Sequence, residues 1–177
     1  DVAMTKMRKV EILSPEREKI QEEVKILEQA RQEISEMGRI ANEQGSETFG
    51  HDNPILENKK EQSELLYWRI LAKWDILSQI QNCLIIPEED ILHRKQNPNY
   101  RGLGSIFSLQ MNGARKELQV ILTGLIQGKI EFEGKTYTGI SPKTDLFIAL
   151  QGKSKDDNFE RLTADGRKIS GKILDIQ

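Results

Sequence analysis

Residues 45–54, Gly45-Ser46-Glu47-Thr48-Phe49-Gly50-His51-Asp52-Asn53-Pro54, interrupt two long helical patterns, and their reading decides the fold. Two glycines, Asn53 and Pro54 make this stretch a turn or tip. Upstream, Ser14 can cap free backbone N–H groups, Pro15 fits the first helical position, and Glu16 and Glu18 complement the positive helix end. Ile20, Val24, Leu27, Ile34, Met37 and Ala41 then recur mostly at steps of three or four, with Ala30 or Arg31 filling the gap. The pattern stops at Gln44-Gly45. Some thirty helical residues reach about 45 Å.

Downstream, a second helix is expected from Pro54 to Leu84. Leu66, Ile70, Lys73, Leu77, Ile80 and Leu84 alternate in steps of four and three, a heptad seam broken only by Lys73. A short connection between two long matched helices implies an antiparallel hairpin. Helices this polar are not stable alone, so each buries its stripe on the other. Residues 1–86 therefore read as an N-terminal coiled-coil hairpin domain with its tip at 45–54.

Residues 87–101, rich in polar side chains and holding two prolines, read as a linker. Beyond them the period changes. Ser105–Met111 alternates like a strand, Asn112-Gly113 signals a turn, and Glu117–Leu122 reads as a second strand. Short strands are expected around Glu133-Gly134. A short helix follows Ser141-Pro142 and runs to about Leu150, closed by Gly152. The end, Phe159 to Ile176, reads as a hairpin turning at Asp165-Gly166. Residues 102–177 thus form a small β domain with one helix, and the chain is α+β.

Charge divides with the domains. Residues 1–90 carry 12 basic and 19 acidic side chains, whereas the remainder carries 14 and 9. Opposite signs point to different partners for the two halves, and neither half is basic enough to hold duplex DNA by itself. The single cysteine, Cys83, excludes an internal disulfide and fits a reducing cytoplasm. No apolar run approaches the roughly 20 residues of a membrane span, and the start, Asp1 to Val10, is too polar for a signal peptide.

The order of these fragments resembles the Gre family of bacterial transcript-cleavage factors, from Ile12 to Ile176. Leu13-Ser14-Pro15-Glu16, Lys19-Ile20 and Glu23-Val24 resemble the family's first helix. Arg39-Ile40-Ala41 and Glu43-Gln44-Gly45 resemble the approach to its tip, and Lys60-Glu61-Gln62 with Arg69-Ile70 the return helix. Ser141-Pro142, Ala149-Leu150-Gln151-Gly152-Lys153 and Asp165-Gly166 resemble its ending. The resemblance implies an FKBP-like, polymerase-binding second domain. It also implies a monomeric partner of bacterial RNA polymerase, with no membrane association. The hairpin would enter the secondary channel and stimulate the polymerase's own cleavage of backtracked RNA, near the RNA 3′ end. Such a protein activates another enzyme and is not itself one.

The family tip runs glycine, aspartate, two variable residues, glutamate, asparagine. Here it is about three residues longer. By position Asp52, before Asn53, stands for the second acid, and Glu47 for the first. The resemblance makes these two the acids that assist catalysis and share Mg²⁺ with the polymerase. Mg²⁺ needs only one or two protein carboxylates, and two-metal RNA hydrolysis needs its second ion held loosely by oxygen ligands. The plainer reading leaves Glu47 and Asp52 as solvated turn residues.

Phe49, Asn53, Lys59 and Lys60 are candidates for contact with polymerase or RNA. For Phe49 the alternative is local packing, and for the lysines a solvated helix face. His51 reads as a solvated turn residue and Cys83 as core filler. Trp68 and Trp74 are expected to pack the hairpin base or the second domain. The competing functions are a Gre-like inhibitor without cleavage stimulation, a prolyl isomerase, and a plain coiled-coil scaffold. The isomerase would need a deep aromatic pocket, while the second domain offers only scattered Phe and Tyr. The scaffold leaves the β domain unexplained.

Overall fold

The computed structural model describes residues 9–45 and 54–177, leaving aside the side chains of residues 41–45 and 54–56. The fold is α+β, and the chain forms two compact units: Glu18–Gln81, and Asp1–Arg17 together with Asn82–Gln177.

In the helical unit, α1 (Ser14–Gly45) and α2 (Pro54–Gln81) begin and end close to where the glycine and proline signals place them. Glu23 of α1 pairs with Lys73 of α2 at 2.7 Å. Further along α1, the Arg31 guanidinium lies 4.7 Å from the centre of the Tyr67 ring. Partners ascending α1 thus descend α2, so the two helices run antiparallel. Ile20, Val24, Ile70 and Ile80 are buried, and Leu27, Ala30, Ile34, Leu66 and Leu77 are half-buried. Lys73, the break in the heptad, keeps its place on the seam by reaching Glu23.

Two seam positions differ from expectation. Met37 is exposed, and Gly38 is half-buried in its place. At 100° per residue, the step of four from Ile34 stays on the stripe and the step of three leaves it. Leu84 is also exposed. It does not continue α2 but opens β2 (Leu84–Ile86), which pairs in parallel with β1 (Glu11–Leu13), Leu13 opposite Ile86.

Residues 87–101, expected as a linker, hold a helix, α3 (Glu88–Lys95). Its first turn is Glu88-Glu89-Asp90 and its last His93-Arg94-Lys95, so both ends complement the helix dipole. Ile91 is fully buried, and Lys95 Nζ sits 5.0 Å from the Phe132 ring centre. Burial pushes the Lys95 ammonium below its usual range.

The sheet comprises β3 (Ile106–Met111), β4 (Leu118–Leu122), β5 (Gly128–Phe132), β6 (Lys135–Ile140), β7 (Asn158–Leu162) and β8 (Lys168–Ile176), in the order β5-β6-β4-β3-β8-β7. Only β4 and β6 pair in parallel. The β5–β6 turn places Glu133 and Gly134 both at positive φ, the geometry of a two-residue hairpin turn that matches strand twist. The β3–β4 connection is longer than a two-residue turn at Asn112-Gly113 and spans residues 112–117.

Between β6 and β7, α4 (Asp145–Leu150) is capped by Thr144, whose hydroxyl accepts from Phe147 N–H. The helix begins after Ser141-Pro142 because those residues form the preceding turn, with the Ser141 carbonyl accepting from Thr144. Leu150 of α4 joins Phe107, Leu109, Val120, Phe159 and Ile173 in the core.

Candidate functional site

The start of α1 is fixed by a carboxylate. Glu16 is fully buried. One of its oxygens accepts from the backbone N–H groups of Gly124, Leu125 and Ile126 at 3.1, 2.8 and 2.9 Å, and the other from Leu13 N–H. The bond to Leu13 is the carboxylate half of a capping box, three residues into the helix. Three consecutive N–H groups converging on one oxygen make a backbone nest for an anion. Ser14 is not the capping acceptor expected of it, because its hydroxyl donates to the Ile86 carbonyl instead.

The nest also needs Gly124, where a Cβ would stand 1.9 Å from the Glu11 carbonyl oxygen. In the sequence Glu16 reads only as a complement to the helix end. The missed signal is that this acid stands third in a helix led in by an apolar strand, a position from which it turns inward. Alongside, Arg94 grips Glu11 with two hydrogen bonds of 2.7 and 3.1 Å. The bonded guanidinium holds the Glu11 carboxyl below its usual range. Cys83 is half-buried. Burial, aided by the nearby Glu16 charge, pushes its thiol up, away from nucleophilic reactivity.

Glu47, Phe49, His51, Asp52 and Asn53 lie outside the described residues. The chain enters that loop from α1 and leaves it into α2. Lys59 and Lys60 follow in α2, about 8 Å of helix rise beyond Pro54, Lys59 half-buried and Lys60 exposed. Neighbours in a helix are turned by about 100°, so the two ammonium groups are not brought to one face. Among the described residues, no group of three or more His, Cys, Asp or Glu side chains could hold a metal ion.

The tryptophans correct the sequence reading. Trp68 and Trp74 are 60% and 52% exposed and are not buried between the two helices. The seam runs through Leu66, Ile70, Lys73 and Leu77, and the 100° step turns both indoles away from it. In the β unit, a cavity of about 310 Å³ gathers Phe107, Phe147, Leu122 and Leu150 under a polar rim of Arg101 and Lys153. The phenylalanines that look scattered in sequence thus partly converge there, although it contains no tryptophan or tyrosine. Among the described residues, no helix is long and apolar enough to cross a membrane.

No family model matches the chain, and no curated protein matches it. Solved structures do. GreA factor homolog 1 of Thermus thermophilus shares 20% identity at a TM-score of 0.35, with 96% of this chain and 99% of that chain covered. Gfh1 of Thermus aquaticus gives the same four values. The elongation factor GreA/GreB from Nitrosomonas europaea shares 14% identity at a TM-score of 0.31, covering 96% and 98%. The chain is similar to Gre-type factors along nearly its whole length.

Proposed function

We propose that this protein is a Gre-type elongation factor: it binds bacterial RNA polymerase in the cytoplasm through an FKBP-like β domain and places its coiled-coil tip in the secondary channel. One observation carries the reading. The Gre-like fragments fall at the structural joints where such a factor needs them. Leu13-Ser14-Pro15-Glu16 joins β1 to α1, Ala149–Lys153 closes α4, and Asp165-Gly166 makes the β7–β8 turn. The solved structures to which the chain is similar include a GreA factor homolog and a GreA/GreB transcription elongation factor.

In this reading the tip stimulates the polymerase's intrinsic cleavage of backtracked RNA, and Glu47 and Asp52 help hold Mg²⁺ there. Their carboxylates are hard oxygen donors, which fit that ion. When bound, the ion would supply Lewis-acid activation in the polymerase's own site. Phe49, Asn53, Lys59 and Lys60 would contact polymerase or the RNA 3′ end. The longer tip, with its first acid displaced, favours a second reading, an inhibitor of the same shape.

RNA cleavage in stalled elongation complexes decides between them. Native protein should accelerate cleavage, while Asp52→Asn, and less strongly Glu47→Gln, should lose that acceleration and still bind. Added Mg²⁺ should partly rescue each single variant. Unchanged cleavage by the double variant sinks the role of the acids. Inhibition by the native protein establishes the second reading.

A further inference from the structure

The described surface of the helical unit includes an unusual apolar face. Tyr67, Leu71 and Trp74 stand at i, i+4 and i+7 on α2, one stripe of a helix. All are exposed, from 39% to 52%. Trp68, still more exposed, meets the Tyr67 ring edge-on at 5.7 Å. The stripe forms one wall of a groove of about 500 Å³ between α2 and α1, whose opposite wall is polar and includes Glu28 and Gln32. Isolated exposed apolar residues are ordinary, but a contiguous aromatic stripe beside a groove marks an interaction surface.

Charge selects the occupant. Glu28 lines the groove, and Glu64 and Asp75 fall on α2 between Leu71 and Trp68 by the 100° step. None of these three carboxylates has a cation within ion-pair distance among the described residues. The unit Glu18–Gln81 carries 13 acidic and 8 basic side chains. One cation already uses the site: the Arg31 guanidinium lies over the Tyr67 ring, while the indoles of Trp68 and Trp74 remain open. Indole faces bind guanidinium and ammonium groups better than any other side chain. The groove between two antiparallel helices also suits a third helix, with anchors at the same spacing as the stripe.

We propose that this groove docks a basic amphipathic helix of a partner protein, with leucine-like anchors against Tyr67, Leu71 and Trp74 and arginines or lysines facing Glu28, Glu64, Asp75 and the two indoles. The site is separate from the loop acids and does not depend on the polymerase reading.

Of the chain's two tryptophans, Trp74 lines this groove and Trp68 stands against Tyr67 at its edge, so intrinsic fluorescence of the full-length protein reports occupancy. The probe is a synthetic helical peptide with leucines at i, i+4 and i+7 flanked by arginines. Its control has the same leucines and glutamates in place of the arginines. The arginine peptide should give a saturable blue shift that weakens with salt. Leu71→Ser, which keeps both reporters and an unchanged far-ultraviolet dichroism spectrum, should weaken binding at least ~10-fold. The double variant Glu28→Gln/Glu64→Gln should weaken the arginine peptide selectively. Equal binding of the glutamate peptide, or no saturable shift with either, overturns the proposal. So does self-association of the free protein that Leu71→Ser abolishes, because the occupant is then a second copy of the chain.

Discussion

The two units of this protein treat their large apolar side chains in opposite ways. In the β unit, Leu109, Val120, Ile121, Phe132 and Ile173 are wholly enclosed. In the helical unit the described seam is narrow, and Leu65, Trp68 and Trp74 remain half or more exposed. Buried apolar area is what stabilises a fold, so the β unit concentrates stability. The helical unit instead leaves surface available for recognition, and that division can be tested by substitution.

The largest effect is expected from the β core. Phe132→Ala should cost about 3–5 kcal/mol through lost transfer energy and the cavity left behind. Trp68→Ala, a residue of comparable bulk, should stay within about 0.5 kcal/mol. Urea denaturation of each variant checks this, and equal costs would abolish the contrast. Next comes Glu16→Ala, which strands buried N–H groups at Gly124, Leu125 and Ile126 and should lower stability by on the order of 3 kcal/mol. The readout is a lower denaturation midpoint at unchanged slope.

Much of the outline was legible because helical and strand periods differ and glycine and proline punctuate them. Gly45 and Pro54 bound the two helices, and Glu133-Gly134 and Asp165-Gly166 sit in hairpin turns as read. The failures share a cause, since they depend on contacts far along the chain. Leu84 fits the heptad but pairs with Glu11 in a strand. The polar residues of α3 look like a linker until Ile91 is seen buried. Glu16 looks like a surface cap until its nest, more than a hundred residues away in sequence, closes on it. The tryptophans look like core because size is visible in a sequence and direction is not. Of the candidate site, the described residues include only Lys59 and Lys60.

Smaller effects sharpen the comparison. The carboxyl of Glu11 is held below its unfolded value by Arg94, so the pair's stabilisation is present above the unfolded pKa of about 4.3. It is lost as pH falls through the lower folded value. Arg94→Met should flatten the acid limb of the stability profile, measured as denaturation midpoint between pH 2 and 6 (about the range that brackets this titration). Equal slopes in both proteins would remove Glu11 from the account. The smallest change is expected at the seam. Lys73→Met fills the heptad gap but leaves Glu23 with its longer ion pair to Lys19, at 3.5 Å. Both side chains are about one-third exposed, so the net change should stay within about 1 kcal/mol. A larger loss would mean that the ion pair, and not the apolar stripe, sets the helix register.

The parallel pairing of β1 with β2 carries a consequence for how such a chain can change. Strand Glu11–Leu13 leads into α1, strand Leu84–Ile86 follows α2, and the two lie side by side. Everything between them is an excursion whose ends are already joined. Closing a longer excursion costs only about 0.6 kcal/mol for each doubling of its length. Insertions or deletions beyond Arg17, within Glu18–Gln81, should therefore leave the strand ladder and the Glu16 nest intact. The helical segment behaves as a cassette, whose length and loop can drift between lineages while its attachment stays fixed.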